Sequence, residues 1–436
     1  MSQATELASA TSRAALPFST DERVLMLRRR SASTSTVRAE TEKIIGRVRR
    51  DGDRALREMA VEYDRVTLDG LEIARSARRR ALARVPSNLR SALERAANNI
   101  AQVHAASPPR NFEVETEQGV TVGRWSNPLE RVGIYAPGGR AAYASSVLMA
   151  AIPARVSGVS DVIVCSPPQR DGRPAQIVLA ACEIADVDRV FVLGGAGAIA
   201  AMAYGTESVP RVDRIVGPGN AYVAEAKLQV SRDVGIDSPA GPSELLVICD
   251  ASCDVDTVAR EVLAQAEHDV DAIVVVVCLD DATASSIANA IESTLADSPR
   301  ADVIRAALEA RGALITKPSL RAAINFANEF APEHLLLAID DPERVLPDIR
   351  NAGSIFVGES SSVVFGDYIT GGNHVLPTGG LARSYSGLGP LDFVRWTWYQ
   401  KVTPEAAQRL ANDTAILATA EGLPAHAAAA LRWSSQ

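Results

Sequence analysis

The stretch Arg189-Val-Phe-Val-Leu-Gly-Gly-Ala-Gly-Ala-Ile-Ala200 decides the fold. A short apolar run ends in a glycine-rich turn and passes into a helical pattern over residues 198–204. A run with no polar alternation reads as a strand buried on both faces. Working outward, Asp161-Val-Ile-Val-Cys165 and Asp213-Arg-Ile-Val216 have the same character, and residues 175–184 read as a helix between the first two runs. A second series follows, with strands expected at 244–249, 272–278, 313–316, 334–339 and 354–357 and helices at 255–266, 282–295 and 320–330. Buried strands alternating with helices indicate parallel sheets covered on both faces, so the chain reads as α/β with two such layers. Residues 35–60 and 88–105 read as long amphipathic helices. Residues 366–374 and 379–390 read as loops, and two C-terminal helices are expected at 404–420 and 424–432, each opening on a proline suited to the first turn. No fixed-period repeat is visible.

Composition narrows the class. With 436 residues the chain can bury a large core, and 47% hydrophobic content is ordinary for a soluble protein. A net charge of −8 argues against nucleic acid as a partner. The clusters Arg28-Arg29-Arg30 and Arg78-Arg79-Arg80 read as solvated helix faces. No run reaches the roughly 18 apolar residues of a membrane span, and residues 1–20 lack a signal-peptide core. Five cysteines at irregular spacing give no disulfide framework, so Cys165, Cys182, Cys249, Cys253 and Cys278 are expected as structural thiols in a reducing cytoplasm.

Histidine marks the candidate chemistry. Of five histidines, His104 lies in an ordinary amphipathic stretch, and the other four all fall from residue 268 onward beside carboxylates or carboxamides. Gln265 and His268, three apart at a helix end, can share a ligand, or simply cap the helix. Glu333 and His334 open an apolar strand, where a base and a water activator could sit at a sheet edge. The polar segment Gly366-Asp-Tyr-Ile-Thr-Gly-Gly-Asn-His374 suggests a site lining, with Asp367 a hard ligand or a turn former. Gly195-Ala-Gly197-Ala-Ile-Ala200 formally meets a dinucleotide fingerprint, but no acidic residue stands about 20 positions on.

Taken together, Arg131-Val-Gly-Ile-Tyr-Ala-Pro-Gly-Gly139, Ser145-Ser-Val-Leu-Met149, Ile215-Val-Gly-Pro-Gly-Asn220, Ala240-Gly-Pro-Ser-Glu244, Gln265-Ala-Glu-His-Asp269, Ala331-Pro-Glu-His-Leu335, Gly366-Asp-Tyr368, Asn373-His-Val-Leu-Pro-Thr378 and Ala420-Glu-Gly-Leu423 with His426 resemble the histidinol dehydrogenase family over residues 35–433. The resemblance implies two Rossmann-like domains in an intertwined homodimer. It implies a zinc- and NAD-dependent oxidation of an amino alcohol through the aldehyde to the acid, with one zinc per subunit. Carried over by position, Gln265, His268, Asp367 and His426 are the zinc ligands, His426 from a partner subunit. His334 is the general base and Glu333 the water activator. Ser243, His374 and Glu421 join these residues as substrate contacts, and Tyr135, Gly197 and Asn220 form the cofactor set. Gly197 stands where the family usually has a cofactor-contacting glutamine.

The same reading divides the chain into an N-terminal arm (1–24), a discontinuous catalytic domain (25–132 with 246–381), a cofactor domain (133–245) and a dimerisation arm (382–436). Residues 393–400 depart from the usual family pattern. A relative oxidising another alcohol, with Arg395 meeting an anionic substrate, is therefore the alternative to L-histidinol. A metallohydrolase using Glu333 as base and a non-catalytic zinc-stabilised dimer are the more distant readings.

Overall fold

The structure is a computed structural model that describes residues 18–20, 35–138, 142–239 and 241–434. The expected N-terminal arm, apart from residues 18–20, lies outside the described residues, as do Arg28-Arg29-Arg30, Gly139 and Ala240.

Helices α1 (Ser35–Met59), α2 (Arg75–Ala83) and α3 (Ser87–Ala105), with the short strand β1 (Glu72–Ile73), precede an exposed hairpin of β2 (Phe112–Glu117) and β3 (Val120–Pro128). The first large sheet is built from β4 (Arg131–Tyr135), β5 (Asp161–Ser166), β6 (Arg189–Val192), β7 (Arg214–Val216) and β8 (Gly235–Ile236). Its connections run through α4 (Ala144–Val156), α5 (Gln176–Ile184), α6 (Gly195–Tyr204) and α7 (Ala221–Val230). The strand order is β1-β6-β5-β4-β7-β8, parallel except for β1.

The second sheet comprises β9 (Glu244–Cys249), β10 (Ile273–Cys278), β11 (Gly312–Thr316), β12 (His334–Ala338) and β13 (Ser354–Val357). It is linked by α8 (Val255–Ala266), α9 (Asp281–Leu295), α10 (Ala301–Arg311) and α11 (Leu320–Phe330). All its strands are parallel, in the order β11-β10-β9-β12-β13. Counted along the chain, both sheets run third, second, first, fourth, fifth: one topology used twice without a sequence repeat. Strand β10 explains the run that announced it, since all six residues are buried, each large one contributing about 1.5–3 kcal/mol.

Helix α12 (Val363–Tyr368) follows β13. The chain ends with strand β14 (Val394–Val402) and the helical hairpin of α13 (Pro404–Ala420) and α14 (Pro424–Leu431). Strand β14 pairs antiparallel along the whole of β3, making a third, three-stranded sheet.

Several expectations are corrected. Helix α1 packs on α6 and α7, α2 on α5, and α3 on α4, so residues 35–105 pack on the helices of the first sheet. Residues 112–128 join neither large sheet. Arg78 is not solvated: it is buried, with Nη2 donating to Asp188 O at 2.9 Å and Nη1 to Val187 O, so backbone carbonyls stand in for water at both Nη atoms. Residues 366–368, expected as the start of a loop, are helical because they end α12, which docks on α8, where Glu261 Oε2 accepts from Val363 N at 3.1 Å. The five cysteines are free thiols, four of them buried. Among the described residues no helix is long and apolar enough to cross a membrane.

Candidate active site

The pair Glu333–His334 sits where α11 gives way to β12. Ala331 ends α11 in the left-handed region (φ 52), a conformation a residue with a Cβ adopts at a cost of about 1 kcal/mol or more. His334 is the first residue of β12 and pairs in register with Leu245 of β9, so the cluster lies at the amino edge of the second sheet. Ligands in open α/β sheets usually gather at the carboxyl edge. Here the first sheet supplies that edge: α4, which follows β4, brings Ser146 Oγ to 3.5 Å from His374 Nε2. Asn373 Nδ2 ties the same segment to Met149 O at 2.6 Å. The cluster therefore faces both sheets.

Hydrogen bonds fix both imidazoles. His334 Nδ1 lies 3.1 Å from Glu244 O, and His374 Nδ1 lies 2.8 Å from Asp367 O. A carbonyl only accepts, so Nδ1 carries the proton in each ring and the neutral ring leaves Nε2 as the basic nitrogen. His334 Nε2 is buried without a hydrogen-bond partner among the described residues, 3.6 Å from Asp367 Oδ1. Burial pushes His334 and His374 down to about 4, so both are neutral at physiological pH. Glu333 Oε2 accepts from Glu244 N at 2.7 Å and lies 3.6 Å from His334 Nδ1.

Gln265 is buried on α8, which runs antiparallel to the strands and so returns its end to the amino edge of the sheet. His268 lies just past that end, its N–H donating to Gln265 O at 3.3 Å. Burial lowers its pKa. Asp367 on α12 is pushed up to about 7, by burial first and the Glu261 charge second. An unrelieved buried carboxyl and a desolvated imidazole are what a cation held by these groups would relieve, and the buried Gln265 amide offers its oxygen as a further donor atom, so the residues fit a metal of the zinc type. Among the described residues no group of three or more His, Cys, Asp or Glu side chains stands close enough to hold a metal alone. The fourth expected ligand, His426, is exposed on α14, and Glu421 is exposed at the end of α13. Neither lines the cavity beside the cluster. That cavity, about 350 Å³, is bounded by His334, Phe356, Phe365, Asp367, Asn373 and His374 among others.

Ser243 precedes β9, half-buried, its carbonyl accepting from Ile273 N at 2.9 Å. The remaining expected residues lie at the first sheet. Strand order reverses between β4 and β7, and there Tyr135 ends β4, its hydroxyl accepting from Gly195 N at 3.0 Å. Burial pushes that phenol up to about 12, so it stays protonated. Asn220 caps α7 by accepting from Tyr222 N and Val223 N, both at 3.1 Å. Among the described residues a Cβ at Gly195 would meet nothing within 4 Å, so beside them there is space for a ligand and the residues fit a dinucleotide. Gly197 points into the packing with α1, where a Cβ would meet Met59 Sδ at 3.1 Å, so it offers backbone only. Arg395 is exposed on β14 and does not line the cavity. Glu244 and Ser146 were not singled out from sequence. Glu244 is the one charged residue of an apolar strand and Ser146 lies in a mostly apolar helix, each 1% exposed, and in sequence only the isolation of Glu244 was an available signal.

Comparisons with known proteins identify the family. The family model described as histidinol dehydrogenase matches residues 27–433. The histidinol dehydrogenase of Methanosarcina mazei is 45% identical over 88% of this chain and 89% of its own length. That of Nitrosomonas europaea is 46% identical over 91% and 92%. The crystal structure of histidinol dehydrogenase from Elizabethkingia anophelis superposes with a TM-score of 0.91 at 34% identity, covering 94% of this chain and 95% of that one. The chain belongs to the histidinol dehydrogenase family of oxidoreductases.

Proposed function

We propose that this protein oxidises L-histidinol through L-histidinal to L-histidine with two molecules of NAD+, as a cytoplasmic homodimer with one zinc per subunit. The observation that carries the reading is His334: a buried neutral imidazole, its proton held on Nδ1 by Glu244 O, its basic Nε2 turned toward Asp367. Such a nitrogen suits removal of a hydroxyl proton.

Zinc, held by Gln265, His268, Asp367 and His426 of a second copy, would supply a redox-inert Lewis acid that orients the substrate's amino and imidazole nitrogens. NAD+ at the Rossmann-like carboxyl edge of the first sheet, against Tyr135, Asn220 and the backbone of Gly197, would accept hydride. His334 Nε2 takes the hydroxyl proton of the alcohol, and later that of the hydrated aldehyde. Glu333 takes a proton from the water that adds to the aldehyde, its carboxylate oriented by Glu244 N. Ser243, His374 and Glu421 contact the substrate, Glu421 meeting its cationic end. The exposed apolar residues of the C-terminal hairpin, Ile416 66% and Leu417 67% exposed, support a second copy covering this arm. Initial-rate NADH formation with L-histidinol, set against a panel of other primary alcohols including sulfonated diols, tests the reading. Turnover of a different alcohol with none of L-histidinol would refute it.

A further inference from the structure

Two buried charges that the proposed chemistry does not use meet at one turn. Lys227 on α7 and Asp237, just beyond β8, are 1% and 7% exposed and form an ion pair inside the first sheet's carboxyl edge. Both also hold the same residue. Lys227 Nζ donates to Gly217 O at 2.9 Å, and Gly217 N donates to Asp237 Oδ2 at 2.8 Å. Gly217 follows β7 with φ 112, and a Cβ there would stand 2.3 Å from Tyr135 O, so no other residue fits. The ion pair thus satisfies both backbone groups of the residue where strand order reverses, and it leads directly into Pro218-Gly219-Asn220 and the start of α7.

A buried ion pair is weak evidence for stability, since well-packed apolar residues of similar size often serve as well. Apolar residues could not, however, accept from Gly217 N and donate to Gly217 O together. We infer that Lys227 and Asp237 are positioning residues that set the Gly217–Asn220 turn for the dinucleotide. The inference rests on the proposed binding of NAD at this edge. It assigns cofactor affinity to a clamp behind the Gly217–Asn220 turn, made by residues that are not part of the cluster around His334. Its signature is a change in NAD affinity without a change in substrate affinity.

The test compares two charge-neutral double variants of the full-length protein. K227M/D237L removes both hydrogen bonds to Gly217. K227Q/D237N keeps a donor for Gly217 O and an acceptor for Gly217 N. Kd for NAD+ and, separately, Kd for L-histidinol without cofactor are measured by calorimetry, with thermal unfolding as the check on folding. K227M/D237L is expected to weaken NAD+ by about tenfold or more and leave L-histidinol within about twofold, while K227Q/D237N stays near wild type. Unchanged NAD+ affinity in K227M/D237L overturns the inference, as does equal weakening of both ligands or a K227Q/D237N variant as weak as K227M/D237L. If K227M/D237L does not fold, Lys227→Met alone carries the test: it removes the donor to Gly217 O while Asp237 still accepts from Gly217 N, and an unchanged Kd for NAD+ overturns the inference. A wild-type protein with no saturable NAD+ binding would instead refute the cofactor reading itself.

Discussion

Replacing His334 with Asn separates the base from the scaffold. The asparagine amide can still donate to Glu244 O, which now receives His334 Nδ1 at 3.1 Å, so the local backbone keeps its hydrogen bond. What disappears is Nε2, the buried nitrogen 3.6 Å from Asp367 Oδ1. A positioned general base contributes about 10²- to 10⁴-fold, equivalent to about 2.7–5.4 kcal/mol at about 1.36 kcal/mol per decade. Both oxidation steps remove an O–H proton, first from the alcohol and then from the hydrated aldehyde, so both should slow alike. The ring also packs against Phe356 at a centroid distance of 5.9 Å, and losing that contact should lower stability by about 1–3 kcal/mol. The assay is initial-rate NADH formation from L-histidinol and from L-histidinal, with thermal unfolding to confirm that the variant is folded. Expected is a kcat reduced about 10³-fold for both substrates with KM changed less than about threefold. A folded variant whose kcat stays within about tenfold of wild type would refute the assignment of His334 Nε2 as the base.

Glu333→Gln keeps an acceptor for Glu244 N but no longer takes a proton from water. It should slow L-histidinal oxidation by about 10²-fold or more while sparing the alcohol step, and equal slowing of both would count against the division of labour. Dialysis against a chelator should abolish turnover and added zinc restore it, and Asp367→Asn should weaken zinc by more than about 100-fold in a competition assay; unaltered metal content would remove Asp367 from the ligand set. If each site takes His426 from a second copy, inactive His334→Asn and His426→Ala proteins should together recover about a quarter of wild-type activity after subunit exchange, and no recovery speaks against a shared site. Burial lowers the His104 pKa, so the native ring binds fewer protons than the unfolded one as pH falls below about 6.5, and stability drops through that window. His104→Leu should shrink the difference in urea unfolding free energy between pH 7 and pH 5, and an unchanged difference would show that this ring is not a source of acid sensitivity.

Strands buried on both faces announced themselves in the sequence. The run 244–249 ends where β9 ends, because a fully buried parallel strand has no polar face to blur its limits, and 354–357 matches β13 as well although that edge strand is only half-buried. The sheet of β2, β3 and β14 gave little signal, since its stability comes from cross-strand stacking such as Trp125 on Tyr399, and from Arg124 lying 4.1 Å over Trp396, rather than from a core. The packing of residues 35–105 on the first sheet was equally hidden: an amphipathic helix declares an apolar face but not which sheet it covers. Histidines 268, 334 and 374 could be picked from their neighbours in sequence. The carbonyls that set their protons could not, because Glu244 O and Asp367 O contribute backbone, and any residue type would have offered the same atom. Gly197 was conspicuous in sequence, and the structure gives its cause in packing: Met59 of α1 occupies the direction a side chain would take.

The central claim is that one site carries an alcohol through to an acid. Its most direct test is stoichiometry, with limiting L-histidinol, excess NAD+ and purified protein, followed by NADH absorbance and product analysis. Oxidation of an alcohol to an acid releases four electrons as two hydrides, so the account predicts two NADH per L-histidinol and L-histidine as the sole product. One NADH per L-histidinol with L-histidinal left in solution, or no NADH at all, would contradict it.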